Sequence, residues 1–392
     1  MNSFKDTIIP IFTKISNQKH VNAVKETFIA LAPILLVGSI ALLLRDFLIF
    51  NFIKDFNNAI SFICLSFISI IFIIILAYKL SDIQGLIISL VIFILSIQEK
   101  MSINISDLGS KNIFLAIVIT IISVELYTEI SKLKFNVNMP SFIPPAVVGT
   151  FALIIKMSIT IYILGIIVYL LPIKHIFYSL IQSPILKFSQ NMLIIALMSI
   201  LIQIFWFFGV HGHNLISPIL DTVYQPALIS NMEHIVNGGS VDSLPYIWTR
   251  SSFDAYQPGG SGITIALIIA IMLFSRKKSN KDIAKMAAPM GIFNINEPII
   301  FGIPLVLNMN YLIPFILAPT ISAIIAYIVT VIGIIPPTYI QVPWVLPPGV
   351  YAYFATGGSI KAALVAIFNV ILSIIIWIPF VIRENRIGEN ND

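Results

Sequence analysis

Residues 291–304 read GIFNINEPIIFGIP. Within this apolar stretch a carboxylate, Glu297, is wedged between Asn296 and Pro298, with Asn294, Gly291, Gly302 and Pro304 close by. Proline and glycine interrupt helices, so the pattern predicts a broken helix or hairpin tip with the acid at its turn. The surrounding chain sets how costly that acid is. Of 392 residues 58% are hydrophobic and 10% are charged, with a mean hydropathy of +0.98. A soluble domain carries about 25% charged residues. Runs of the roughly 20 apolar residues that a spanning helix needs recur along the sequence. The fold class is an all-α polytopic membrane protein. Glu297 is then an ionisable group at membrane depth, where such groups face a cavity or a partner.

The net charge of +5 sits in short loops and reports orientation, with no nucleic-acid surface implied. Cys64 is the single cysteine, inside the apolar run 59–77, which excludes a disulfide framework and a cysteine-based metal site. The start, MNSFKDTIIPIFTKISNQKHVNAVKETF, is too polar for a cleavable signal and reads as an amphipathic surface helix. Ordinary spans are expected at 27–50, 59–77, 83–98, 112–131 and 145–171. Lys5, Lys14, Lys19 and Lys25 precede the first of them, which places the N-terminus in the cytoplasm. Lys79, Lys132 and Lys134 then fall on the same side. Lys156 lies deep in the fifth span, with Glu125 or Glu129 as its expected partner.

The second half is irregular. Residues 173–190 intersperse polar with apolar positions and read as an interfacial linker helix. Residues 191–210 span. The stretches 211–259, 286–308 and 335–359 are too interrupted by Pro, Gly, Asp and His to span as simple helices. Irregular backbone at membrane depth needs protein or a water-filled cavity around it. Broken segments of this kind point to a transporter's binding site. The basic loop RKKSNKDIAK at 276–285 is expected in the cytoplasm. The chain thus divides into 1–172, the linker 173–190, an irregular unit 191–383 and a polar tail 384–392, with about ten transmembrane helices plus re-entrant hairpins. MPSFIPPAV at 139–147 and VPWVLPPGV at 342–350 share a P-x3-P-P-x-V pattern at two membrane entry points.

Glu297 can accept hydrogen bonds from hydroxyls, or act as a base toward one if desolvation raises its pKa. It can also be a structural acid that caps a half-helix. FWFFGVHGHN at 205–214 places His211 and His213 at i, i+2, which share no helix face, so a helical metal site is not expected. In a turn both imidazoles can point at a ligand, and Asn214 adds an amide. Trp206 and Trp344 either pack against the C–H faces of sugar rings or anchor the chain at the interface. PGGSG at 258–262 lacks the GK[ST] of a P-loop and reads as a hinge or a close backbone approach. Arg250 and Asp254 at i, i+4 read as a local salt bridge. Asp221 and Glu233 are further polar groups in this region. Neutral amides (Asn214, Asn294, Asn296), imidazoles, aromatics and one acid suit an uncharged polyhydroxylated ligand better than an anion or a metal. No cofactor is called for.

FNINEPIIFGIPLVLN closely resembles the signature of the membrane subunit, enzyme IIC, of the lactose/cellobiose/chitobiose class of sugar phosphotransferase systems. GVHG, MPSFIPPAVVGTFALI, GGSGITIAL and the block VPWVLPPGVYAYFATGGSIKAALVAIFNVILSIIIWIPF are similar to further elements of that family, in order from residue 130 to the end. The resemblance implies a permease with a dimeric five-span scaffold and an elevator-type transport unit. It would bind a disaccharide and present it to a separate IIB protein that carries phosphate on a cysteine supplied through IIA. The family's motif residues carry over to His211 and Glu297, which would bind the sugar and position the reacting hydroxyl, with Glu297 as base. Met309, His213 and Lys156 depart from the family pattern. The rival readings are a cation-coupled sugar carrier, for which a Glu–His pair could serve as the proton site, and a structural assembly factor, which the cost of an intramembrane acid disfavours.

Overall fold

The computed structural model describes residues 9–47, 51–133 and 145–389, and every named element among them is helical. Six helices are long and apolar enough to cross a membrane, or up to eight if each of two bent pairs is one span, against the roughly ten expected. Most of the proline motif at 139–147 lies outside the described residues.

A short helix, α1 (Ile9–Ser16), leads into α2 (Lys19–Phe47) and packs Phe12 on Phe205, with ring centroids 5.0 Å apart. The run expected as one span at 59–77 is two helices, α3 (Asn51–Ser66) and α4 (Ile68–Leu80), bent by 49°. At the bend Ser69 donates its N–H to the Leu108 carbonyl (3.0 Å) and its hydroxyl to the Gly109 carbonyl (2.6 Å), so a neighbouring loop holds the break open. The next three expected spans form as α5 (Ile83–Ile97), α6 (Ile113–Lys132) and α7 (Pro145–Leu170). Asp82 caps α5 by accepting the Gly85 N–H at 3.0 Å.

Neither carboxylate expected to pair with Lys156 does so. Glu125 holds Lys19 at 2.7 Å and Glu129 holds Lys132 at 2.6 Å. Lys156 instead donates to the Ser131 carbonyl at 2.9 Å, at the end of α6 where carbonyls lack helical partners.

Residues 173–189 form α8 (Ile173–Phe177), a π turn and α9 (Ser183–Ser189), which meet α10 (Met192–Phe207) at 74°. Lys174 ties this segment down. Its ammonium lies 2.7 Å from Asp107 and 2.9 Å from Glu99, and the Asp107 side chain is 2% exposed.

The helix α11 (Gly212–Val236) corrects the reading of 211–236 as broken, because it is continuous through Pro218 and Pro226. A proline removes the bond to the carbonyl four residues back. For Pro218 that carbonyl belongs to Asn214, and the Ser217 hydroxyl takes its place at 3.1 Å. The polar residues that look like interruptions recur every three or four positions and share one face.

Irregular structure follows as expected. The short α12 (Arg250–Tyr256) and α13 (Thr264–Phe274) flank the PGGSG turn, and α14 (Lys278–Ile292) and α15 (Glu297–Gly302) flank the Asn294–Asn296 turn. After α16 (Met309–Val331) the chain is largely non-helical until α17 (Val350–Ala355) and α18 (Ile360–Glu389). Its polar backbone is bonded to protein. Tyr339 and Ile340 donate to the Ala355 carbonyl at 2.9 and 3.1 Å, Gln341 donates to the Ser39 hydroxyl at 3.1 Å, and Asn231 donates to the Thr338 carbonyl at 3.0 Å. Among the described residues one buried core is drawn from α10 to α18, two smaller ones are drawn mainly from α2 to α7, and a third gathers Leu42, Ile235, Tyr339 and Ile340. Leu228, Ile229 and Met232 of α11 belong to one of the smaller cores, so α11 joins the two halves.

Lys174→Met strands the buried Asp107 carboxylate and is predicted to destabilise the fold by about 3 kcal/mol. Lys156→Met loses one bond to a carbonyl and is predicted to cost about 1 kcal/mol or less. Thermal unfolding of the two purified variants checks the contrast.

Candidate functional site

The site is assembled from chain breaks. Between α14 and α15 Asn294 adopts φ +65°, a left-handed conformation that asparagine tolerates better than most residues. Its amide is fully engaged. Oδ1 accepts the Gly259 N–H at 2.6 Å, while Nδ2 donates to the Trp344 carbonyl at 2.6 Å and the Leu346 carbonyl at 2.9 Å. One side chain therefore binds the hairpin tip to the PGGSG turn and to the proline-rich strap 342–350. Asn296, the N-cap of α15, is buried against Gly260. Gly260 has φ +80°, and a Cβ there would come within 2.8 Å of the Asn296 Cβ, so no larger residue fits.

These contacts present Glu297 in the first turn of α15, followed by Pro298. Pro fits there because its missing N–H has no helical partner to lose, and a carboxylate at this end meets the helix's partial positive charge.

Facing it is the turn between α10 and α11. Gly212 lets the two helices close up, since a Cβ there would collide with the Ile202 carbonyl oxygen. His211 caps α11, its Nδ1 accepting the Asn214 N–H at 3.2 Å. That bond leaves the proton of a neutral ring on Nε2. Trp206 lies beneath it with ring centroids 4.4 Å apart. His211 Nε2 is 3.9 Å from Glu297 Oε1. That exceeds a hydrogen bond, for which about 2.7–3.2 Å is typical, and a hydroxyl oxygen can sit within bonding distance of both.

The pair lines a cavity of ≈ 930 Å³. All eight residues singled out in the sequence line it, Glu297, His211, His213, Asn214 and the others included, but they differ in what they expose. Trp344 is 57% exposed and offers its face, whereas Trp206 is 3% exposed and serves His211 as a shelf. Asn294 has no free amide atom. His213 is turned to Ser261, Nδ1 lying 3.2 Å from the hydroxyl.

The expected Arg250–Asp254 bridge is present at 3.1 Å, and Asp221 completes it from α11 at 3.0 Å. Four cavity glutamines, Gln203, Gln225, Gln257 and Gln341, escaped the sequence reading. Gln203 accepts the Gly262 N–H at 2.9 Å, and Gln225 donates to Gln341 at 2.9 Å. The one available signal was Gln225, which follows Asp221 at i+4 on α11. Lys25, Phe28, Ile29, Ala32 and Leu36 of α2 supply the opposing wall.

A bent-helix membrane fold with a Glu–His pair in its cavity defines a solute permease, and comparison with known proteins narrows the class. A family model described as "Phosphotransferase system, EIIC" matches residues 25–319. The chain belongs to this family of multi-span bacterial plasma-membrane proteins. It is 29% identical to the cellobiose-specific EIIC component of Lactococcus lactis subsp. lactis, covering 97% of each chain. It is 28% identical to the oligo-beta-mannoside-specific EIIC component of Bacillus subtilis, covering 97% of this chain and 93% of the other. Its fold matches the crystal structure of ChbC, the IIC component of an N,N'-diacetylchitobiose-specific phosphotransferase system, with a TM-score of 0.86, 26% identity and 99% of both chains covered.

Asn294→Ala leaves one N–H and two carbonyls without their partner. It is predicted to destabilise the protein by about 1–3 kcal/mol, read as a lowered Tm of the purified protein, and to weaken sugar binding with it.

Proposed function

We propose that the chain is the sugar-translocating subunit of a phosphoenolpyruvate-dependent phosphotransferase system for a disaccharide of the cellobiose, chitobiose or lactose type. The observation that carries this reading is the Glu297–His211 pair, 3.9 Å apart, facing a cavity of ≈ 930 Å³ in a member of this family. The cavity's polar lining, rich in amides, suits a neutral polyol, and Trp344 offers an aromatic platform for a sugar ring. Family membership disfavours the cation-coupled carrier.

One sugar hydroxyl lies between His211 and Glu297. His211 Nε2–H donates to its oxygen, and the hydroxyl donates to the Glu297 carboxylate. A separate IIB protein brings a phosphocysteine. The hydroxyl oxygen attacks phosphorus, the S–P bond breaks, the cysteine leaves as thiolate, and the hydroxyl proton passes to Glu297. IIA restores the phosphate on IIB.

Residues 1–172 form the scaffold on which two copies pair, 173–190 the linker, and 191–383 the unit that carries the sugar by an elevator-like motion. The proposal counts α5 and α11 as spans besides the up to eight that length and composition mark, ten in all. Basic residues support a cytoplasmic N-terminus. Phe12 of α1 meets Phe205 near the end of α10, and Leu307 donates to the Phe207 carbonyl. Glu384 then accepts from both Asn310 and Lys277, so α1 and the basic loop 276–285 share a face. The excess of lysine and arginine on that face marks the cytoplasm.

The test is the chemical form of internal sugar. Cells with matched IIA and IIB are given labelled cellobiose, chitobiose and lactose. Wild type is predicted to accumulate sugar phosphate, and Glu297→Gln to lose phosphorylation by 100-fold or more while still binding sugar. Free sugar accumulating without IIB, and collapsing with an uncoupler, contradicts the reading.

A further inference from the structure

The phosphoryl donor must reach the hairpin tip from the cytoplasm, and the arm that holds the tip is α14. This helix is not among those apolar enough to cross a membrane. Ala284, Ala287 and Gly291 form its buried line, Gly291 packing close to Ile268 of α13. Lys278, Lys281 and Lys285 follow at i, i+3 and i+7 and so share one side of the helix, away from that line. Lys278 and Lys285 are exposed and Lys281 is half-buried.

Several cations elsewhere on this face are paired. Lys277 pairs with Glu384, Lys79 with Glu26, Lys19 with Glu125 and Lys132 with Glu129, at 2.6–3.1 Å. Among the described residues no carboxylate lies within ion-pair distance of the three α14 lysines. Asp282 stands beside the stripe and leaves it with a net positive charge. Exposed Met286 and Met290 flank it. From Lys285 the helix runs about 10 Å to its end at Ile292, five residues before Glu297.

We propose that the lysine stripe of α14 is the docking surface for the phosphocysteine-bearing IIB protein. The inference rests on the phosphotransferase reading above. A phosphorylated cysteine carries up to two negative charges, a neutral sugar carries none, and the stripe converges on the tip where phosphorus must arrive. Docking there directs the phosphoryl group along α14 toward Glu297, and steering by such a patch weakens with salt.

The test uses the full chain in nanodiscs of either neutral or anionic lipid, with labelled cellobiose or chitobiose and varied phospho-IIB. In Lys278→Gln/Lys281→Gln/Lys285→Gln the KM for phospho-IIB is predicted to rise tenfold or more in both lipids. The kcat at saturating IIB and sugar affinity by calorimetry stay at wild-type values. The wild-type KM rises with salt, and the variant's does so much less. The single change Asp282→Asn, which adds positive character, is predicted to lower KM and covers the case in which the triple variant fails to fold. An unchanged KM in either variant overturns the proposal. So does an effect confined to anionic discs, which would make a lipid headgroup the occupant. Absence of phosphorylation by wild type at any IIB concentration, with sugar bound, instead overturns the functional reading.

Discussion

The site depends on one amide. Asn294 joins three irregular segments that are distant in sequence, and the joining is done entirely through backbone groups. A backbone N–H or carbonyl left unbonded away from water is costly, so these segments are held as much by the cost of separating as by the bonds themselves. Their meeting point fixes where α15 begins, and hence where Glu297 stands. A carboxylate on a freely moving loop would be screened or would find a cation. Held at this tip, it faces an imidazole across a gap of 3.9 Å, wide enough to admit one hydroxyl.

The imidazole is prepared by the same logic. Gly212 allows α10 and α11 to approach, the end of α11 supplies an N–H that fixes the ring's tautomer, and Trp206 fixes its plane. Capping thus occupies one nitrogen of the residue and leaves the other facing Glu297. The charged groups deeper in the cavity compensate one another, Arg250 between Asp221 and Asp254. The cavity offers an uncharged ligand many hydrogen-bonding groups.

Much of this was legible in the sequence because it rests on local chemistry. The tip at Glu297 is announced by Asn, Pro and Gly within a few residues, and the apolar runs of the first half set their own helix boundaries. What was not legible rests on tertiary context. The continuity of α11 depends on a serine that replaces a proline's lost partner and on a cavity that receives its polar face. The bend at Ser66 to Ile68 depends on a loop some 40 residues away. Lys156 found a carbonyl because its expected acids were already taken by Lys19 and Lys132. The four glutamines were overlooked because they stand singly on four separate segments that only the fold brings to one cavity. Trp206 and Trp344 look alike in sequence, and burial alone separates shelf from platform.

The central claim is that His211 and Glu297 act on one shared hydroxyl. Calorimetric binding of the same disaccharide to wild type, His211→Ala, Glu297→Gln and the double variant measures it directly. A shared hydroxyl predicts strong coupling, with the double variant losing at least about 1 kcal/mol less than the two single losses added together. Additive losses would mean that the two residues hold different parts of the sugar, and would contradict the account.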